Sequence, residues 1–125
     1  MRSLSWDELD SDLEQRLVSQ RARLRELREW WAPDAIPQHV LAGSVLAESI
    51  ISAVKSQSSD DLYASLQVLE EMAASSDPRL TEAAGVSVLE RIRGEPEAIA
   101  AVADMLGPKS RRLLDEQLRW HQGRS

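Results

Sequence analysis

ASSDPRLTEAAGVSVLERIRGEP, residues 74–96, reads as one helix with its start and its stop on either side. Asp77 followed by Pro78 is a start signal. The carboxylate takes a free amide of the first turn, and the proline ring sits where no N–H is needed. Leu80, Ala84, Val88, Leu89 and Ile92 then recur at helical spacing and make one buried face. Gly94 stops the helix, and Pro96 opens another.

The same punctuation extends in both directions. Towards the C-terminus, Pro96 starts a short helix carrying Ile99, Val102, Ala103 and Leu106, closed by Gly107. Pro108 opens the last helix, with Leu113, Leu114, Leu118 and Trp120 facing inward. Upstream, a helix from about Ser59 to Ala74 holds Asp60 and Asp61 in its first turn and turns Leu62, Leu66, Leu69 and Met72 inward. The helix before it, from about Gln38 to Lys55, buries Leu41, Val45, Leu46, Ile50 and Val54. Gly43 and Gly85 each stand beside Ala. A glycine inside a helix costs about 1 kcal/mol against Ala, so both positions are predicted to lie at close helix approaches. The first helix is predicted to start at a capping box, Ser5 with Glu8, and to have Leu4 and Leu9 as its hydrophobic staple. Its stripe, Leu13, Leu17, Leu24, Leu27 and Trp31, with Gln20 filling one seam position, predicts a single helix to about Ala32. Pro33 and Pro37 end it and bracket the connection APDAIP.

No segment alternates with period two. The prediction is an all-α fold: five or six helices in antiparallel hairpins, forming one domain over residues 1–125. The arrangement is either a compact bundle or a short HEAT-like helical stack. Val-Leu-Glu recurs at 68–70 and 88–90, and Ser-Ser-Asp at 58–60 and 75–77, but the spacings differ and no strict repeat follows. With 125 residues and 42% hydrophobic content, one core is expected.

Composition narrows the function. The chain has no cysteine, which excludes disulfides and thiolate metal sites. A net charge of −6 argues against binding a phosphate backbone. The N-terminal MRSLSWDELDSDLEQ is too acidic for a signal peptide, and no run of residues suits a membrane span, so a cytoplasmic protein is expected. Charge is uneven: residues 33–107 carry 4 basic and 12 acidic side chains, whereas residues 108–125 carry 5 basic and 2 acidic. No nucleophile elbow, phosphate loop or zinc-protease helix is present. His39 and His121 have no His or Cys at ligand spacing and read as surface or partly packed residues. The pairs Asp60-Asp61 and Glu70-Glu71 point about 100° apart on a helix and do not converge on one atom. The expectation is a protein without catalytic, cofactor or metal sites. Of the neighbours Trp30 and Trp31, the second continues the buried stripe, which leaves Trp30 the more exposed and a candidate contact residue.

Two stretches, LQVLEEMAASSDPRLTEAAGVSVLERIRGEPE at 66–97 and MLGPKSRRLLDEQLRW at 105–120, give residues 60–121 a resemblance to a known family. They resemble the small all-helical immunity proteins found beside bacterial polymorphic and contact-dependent toxins. The shared features are an acidic helix ending in a small-Ser-Asp turn, a following helix ending in Leu-Glu, and a Leu-Gly-Pro-Lys-Ser-like turn into a last amphipathic helix. The resemblance implies a non-catalytic protein that binds and neutralises a cognate toxin domain, one that is basic where the toxin is a nuclease. It carries over no functional residue. The acidic middle of the chain supplies the candidate partner-binding residues, Glu70, Glu71, Glu82, Glu90, Asp60 and Asp61, with Trp30 beside them. The competing reading is a helical adaptor or oligomerising scaffold. In that reading the first helix is a candidate homodimer seam, though its stripe is short for an autonomous coiled coil.

Overall fold

The computed structural model describes residues 3–122, with the surroundings of side chains 3–120. Among the described residues there are seven helices and no strand. The difference from five or six lies at the N-terminus. The expected first helix is two: α1 (Leu9–Arg16), then a 3₁₀ turn (Val18–Gln20), then α2 (Arg21–Trp31). The backbone breaks at Leu17 (φ −114°, ψ 77°). A straight helix over residues 5–32 would span about 42 Å, longer than a small domain is wide. Folding it back lets Leu13, Leu17 and Leu24 enter one core. The hairpin is clamped by charge. Arg28 bonds Asp10 with Nε and Nη2, and Nη1 reaches Glu14 Oε1 at 2.9 Å. At the bend Arg21 Nε donates to the Glu14 carbonyl at 2.9 Å, satisfying one of the free carbonyls at the end of α1.

The expected capping box does not form. Glu8 precedes α1 without capping it, and the Ser5 amide donates instead to Asp12 Oδ2 at 3.2 Å. Residues 3–8 form a strap. Trp6 meets His39 edge-on with centroids 5.3 Å apart, and the Arg79 guanidinium lies over the Trp6 ring at 5.5 Å.

α3 (residues 38–56) and α5 (residues 78–93) are each interrupted by a wider π-helical stretch, Ala42–Leu46 and Ala83–Leu89. These two stretches pack on each other, and a Cβ at Gly43 would stand 3.4 Å from the Ser87 carbonyl. The close approach expected at Gly43 is therefore present. α3 ends at Gln57, whose left-handed backbone (φ 57°) lets the Gln57 and Ser58 amides turn back to Val54 and Ala53 carbonyls. α4 (Ser59–Ala73) is capped by Ser58, whose Oγ accepts from the Asp61 amide at 3.4 Å. Asp77 caps α5 by accepting from the Arg79 amide at 3.0 Å, with Pro78 at the first position, as the sequence predicts. α6 (Pro96–Val102) stops short of Gly107, and α7 (Pro108–Gln122) follows. One buried cluster, running from Leu9 to Leu114, joins side chains of all seven helices. Of the stripe proposed as a homodimer seam, Leu13, Leu17 and Leu24 lie inside this cluster, while Leu27 and Trp31 are half-buried against it.

Candidate partner-binding site

The six candidate acids divide by what their carboxylates already do. Glu70, on α4, points across to the start of α7. Its Oε1 accepts from the Ser110 amide (2.8 Å) and hydroxyl (2.9 Å), and its Oε2 from the Lys109 amide (3.0 Å). It thus caps a helix 40 residues away in the chain. Position 107 at that helix start has no side chain of its own to serve as a cap. Glu71 takes both guanidinium nitrogens of Arg16 on α1, one at 3.1 Å, and ties α4 to the N-terminal hairpin. The expectation that Glu70 and Glu71 join an outward acidic face is therefore corrected. A half-buried carboxylate on a packed helix satisfies its oxygens on the nearest donors. Asp60 is exposed and Asp61 half-buried in the first turn of α4, where negative charge favours the helix dipole.

Glu82 and Glu90 behave differently. Both are exposed on α5, and neither forms an ion pair with a described residue. Both line a groove of about 720 Å³ between α5 and α7. Its floor is Gly85. A Cβ there would lie 3.3 Å from Gln117 Nε2, which donates to the Gly85 carbonyl at 2.7 Å. The close approach expected at Gly85 is thus made by a side chain of α7. Arg93 Nη1 in turn donates to Gln117 Oε1 at 3.0 Å, fixing that amide between two helices.

The walls are apolar. Val86 is 51% exposed and Trp120 58% exposed, with half-buried Leu113 between the helices. Glu116 adds a third carboxylate from α7 and pairs with Arg112 at 3.4 Å. No Lys or Arg lines the groove among the described residues. Leu118 and Trp120 were expected inward, yet Leu118 is 43% exposed. The inward line of α7 instead runs through Ser110, Leu114 and Gln117, because Ser110 meets Glu70 and Gln117 meets Gly85. That phase, shifted by one residue, is what turns Trp120 to the surface. Reading Ser110 and Gln117 as polar members of a buried seam would have located the groove from the sequence.

Trp30 is 82% exposed on α2 and stands outside this groove, whereas Trp31 packs on the core. His39 is exposed, with Nδ1 3.1 Å from Ser87 Oγ, and His121 lies outside the described side chains. Among the described residues no three His, Asp or Glu side chains gather as a metal site, and no helix is long and apolar enough to cross a membrane. The arrangement offers an apolar furrow with a negative lip, suited to holding a cationic, partly apolar segment.

A family model described as a domain of unknown function, DUF7674, matches residues 12–121. No curated protein and no solved structure matches the chain.

Proposed function

This chain belongs to the DUF7674 family of domains of unknown function, and from its surface we propose that it is a non-catalytic protein-binding domain, an immunity protein that binds and neutralises a cognate bacterial toxin. The observation that carries the reading is the pair Glu82 and Glu90. These are exposed carboxylates with no ion pair to a described residue, placed on the lip of a groove that also exposes Val86 and Trp120. What sets these two apart from other surface acids is that they flank an apolar groove, where they can attract a basic partner and speed its approach. The sequence resemblance over residues 60–121 points to the same class. The toxin is inferred to be basic near the contact, as a nuclease domain is around its substrate channel.

The test is co-expression with the C-terminal domain of a toxin encoded immediately beside this gene. Rescue of growth, together with a heterodimer that weakens as salt rises, is the expected result. Failure to rescue or to bind would overturn the immunity reading. The exposure of Trp30 favours a second reading, a helical adaptor that uses α2 as its contact. Complexes that survive Glu82 and Glu90 reversal but are lost in Trp30→Ala would support it.

A further inference from the structure

We infer that the occupant of the α5–α7 groove is a basic amphipathic helix of the partner, lying along α5 with one apolar side chain seated over Gly85 between Val86 and Trp120. The inference rests on the protein-binding reading and adds to it the secondary structure, charge pattern and seat of what is bound. Charge is the first argument. The charged residues that line the groove among the described residues are Glu82, Glu90 and Glu116, and the first two form no ion pair with a described cation. An acidic or neutral occupant would leave both carboxylates facing an apolar surface; a basic one satisfies them.

Spacing is the second argument. Glu82 and Glu90 are eight residues apart on one helix, and the π stretch between them brings them to the spacing of seven α-helical steps, about 10.5 Å along the axis, which is two turns of a docked helix. A helix with Lys or Arg at positions i and i+7 meets both, and its residue at i+3 or i+4 then falls between them, over the floor. The floor there is low because residue 85 has no side chain and the Gln117 amide lies against it, while Val86 and Trp120 stand on either side with half their surface exposed. The walls are helices with no free strand edge, so a partner added as a β-strand finds no backbone to pair with. A second copy of this chain also brings a basic α7, but its Trp120 already lines its own groove.

The experiment titrates the full-length, isotope-labelled protein with a synthetic 15-residue helix of Leu and Lys, and with a Leu and Glu helix of the same pattern. The Leu/Lys helix is expected to shift the Gly85 and Val86 amides and the Trp120 indole, and the Leu/Glu helix to shift none of them. Val86→Arg, which blocks the mouth from an exposed position, and Glu82→Lys with Glu90→Lys are each expected to weaken binding about tenfold or more. Glu29→Lys with Asp34→Lys makes the same change in net charge outside the groove and is expected to alter binding less than about twofold at moderate salt. Shifts centred elsewhere, equal loss in the Glu29/Asp34 control, or wild-type affinity in Val86→Arg would each overturn the inference. So would a concentration-dependent dimer whose formation buries Trp120. A toxin domain that binds wild type and Val86→Arg alike would remove the groove but keep the immunity reading. Peptide binding without any toxin binding would do the reverse.

Discussion

Replacing Glu70 by Ala should loosen α7 from the rest of the chain, and the cost can be worked from its three hydrogen bonds. Ser110 is fully buried, and both its amide and its hydroxyl donate to Glu70 Oε1. Losing that acceptor leaves buried donors unsatisfied, at about 1–3 kcal/mol. The Lys109 amide is exposed and turns to water, so it adds little. With the loss of negative charge at a helix start, the sum is about 2–4 kcal/mol. Glu70→Gln keeps one oxygen for Ser110 and should lose about half of this.

Gly107 is coupled to the same carboxylate. A Cβ there would fall 2.5 Å from Glu70 Cδ, 2.6 Å from Oε1 and 2.8 Å from Cγ. Gly107→Ala must therefore push Glu70 off its donors, and should cost most of what Glu70→Ala costs. In the Glu70→Ala background the same change should cost almost nothing. The assay is urea unfolding of wild type, both single variants and the double variant. Glu70→Ala should lower the midpoint by about 1–2 M, and the cycle should close with about 1–3 kcal/mol of coupling. Additivity of the two changes within about 0.5 kcal/mol, or a Glu70→Ala midpoint equal to wild type, would refute the cap.

Three further outcomes follow from other contacts. Gly85→Leu should destabilise by about 1–3 kcal/mol in thermal unfolding, because its side chain must displace Gln117; a wild-type melting curve would show that the floor is not tight. Gln57→Gly should stabilise by about 0.5–1 kcal/mol by relieving the left-handed backbone, and a lower midpoint would contradict the φ of 57°. The Arg28 hydrogen bond and charge hold the Glu14 carboxyl below its ordinary 4.5, so Glu14 contributes stability above that value and loses it as pH falls through the lowered one. In Arg28→Ala the Glu14 titration followed by NMR should return towards 4.5, and the stability gap to wild type should narrow on acidification; an unmoved Glu14 would disprove the pairing.

The helix ends near Pro33, Asp77, Gly94 and Pro108 were legible because capping is local: each is decided by two or three adjacent residues. The break at Leu17 was not, because the apolar stripe continues through it, and only the width of the core forbids a straight helix. The tertiary roles of Glu70 and Glu71 were hidden by separations of 40 and 55 residues. One trace existed: Gly107-Pro108 starts a helix with no Ser, Thr, Asp or Asn to cap it. The outward placement of Glu82 and Glu90 in the candidate site, and of Trp30 outside it, followed from spacing. The exposure of Trp120 was not legible because leucines suggest the seam of α7, whereas buried Ser110 and half-buried Gln117 hold inward positions through hydrogen bonds. The two π stretches share a small-residue pattern, AGSVL at 42–46 and AGVSVL at 84–89. Over so few residues a period nearer 4.4 cannot be told from 3.6.

The π stretch in α5 also sets an angle. In an uninterrupted α-helix, eight residues turn through about 800°, leaving Glu90 about 80° around the axis from Glu82. A π stretch accommodates one extra residue without advancing the turn, so the pair is separated as if by seven steps, and the offset falls to about 20°. The inserted residue thus brings the two carboxylates into line above Gly85. If the same residues wound as an uninterrupted α-helix, Arg91, which now pairs with Glu48, would swing out of register with α3. The phase of this helix is therefore held at both ends, by the core on one side and by Glu48 on the other.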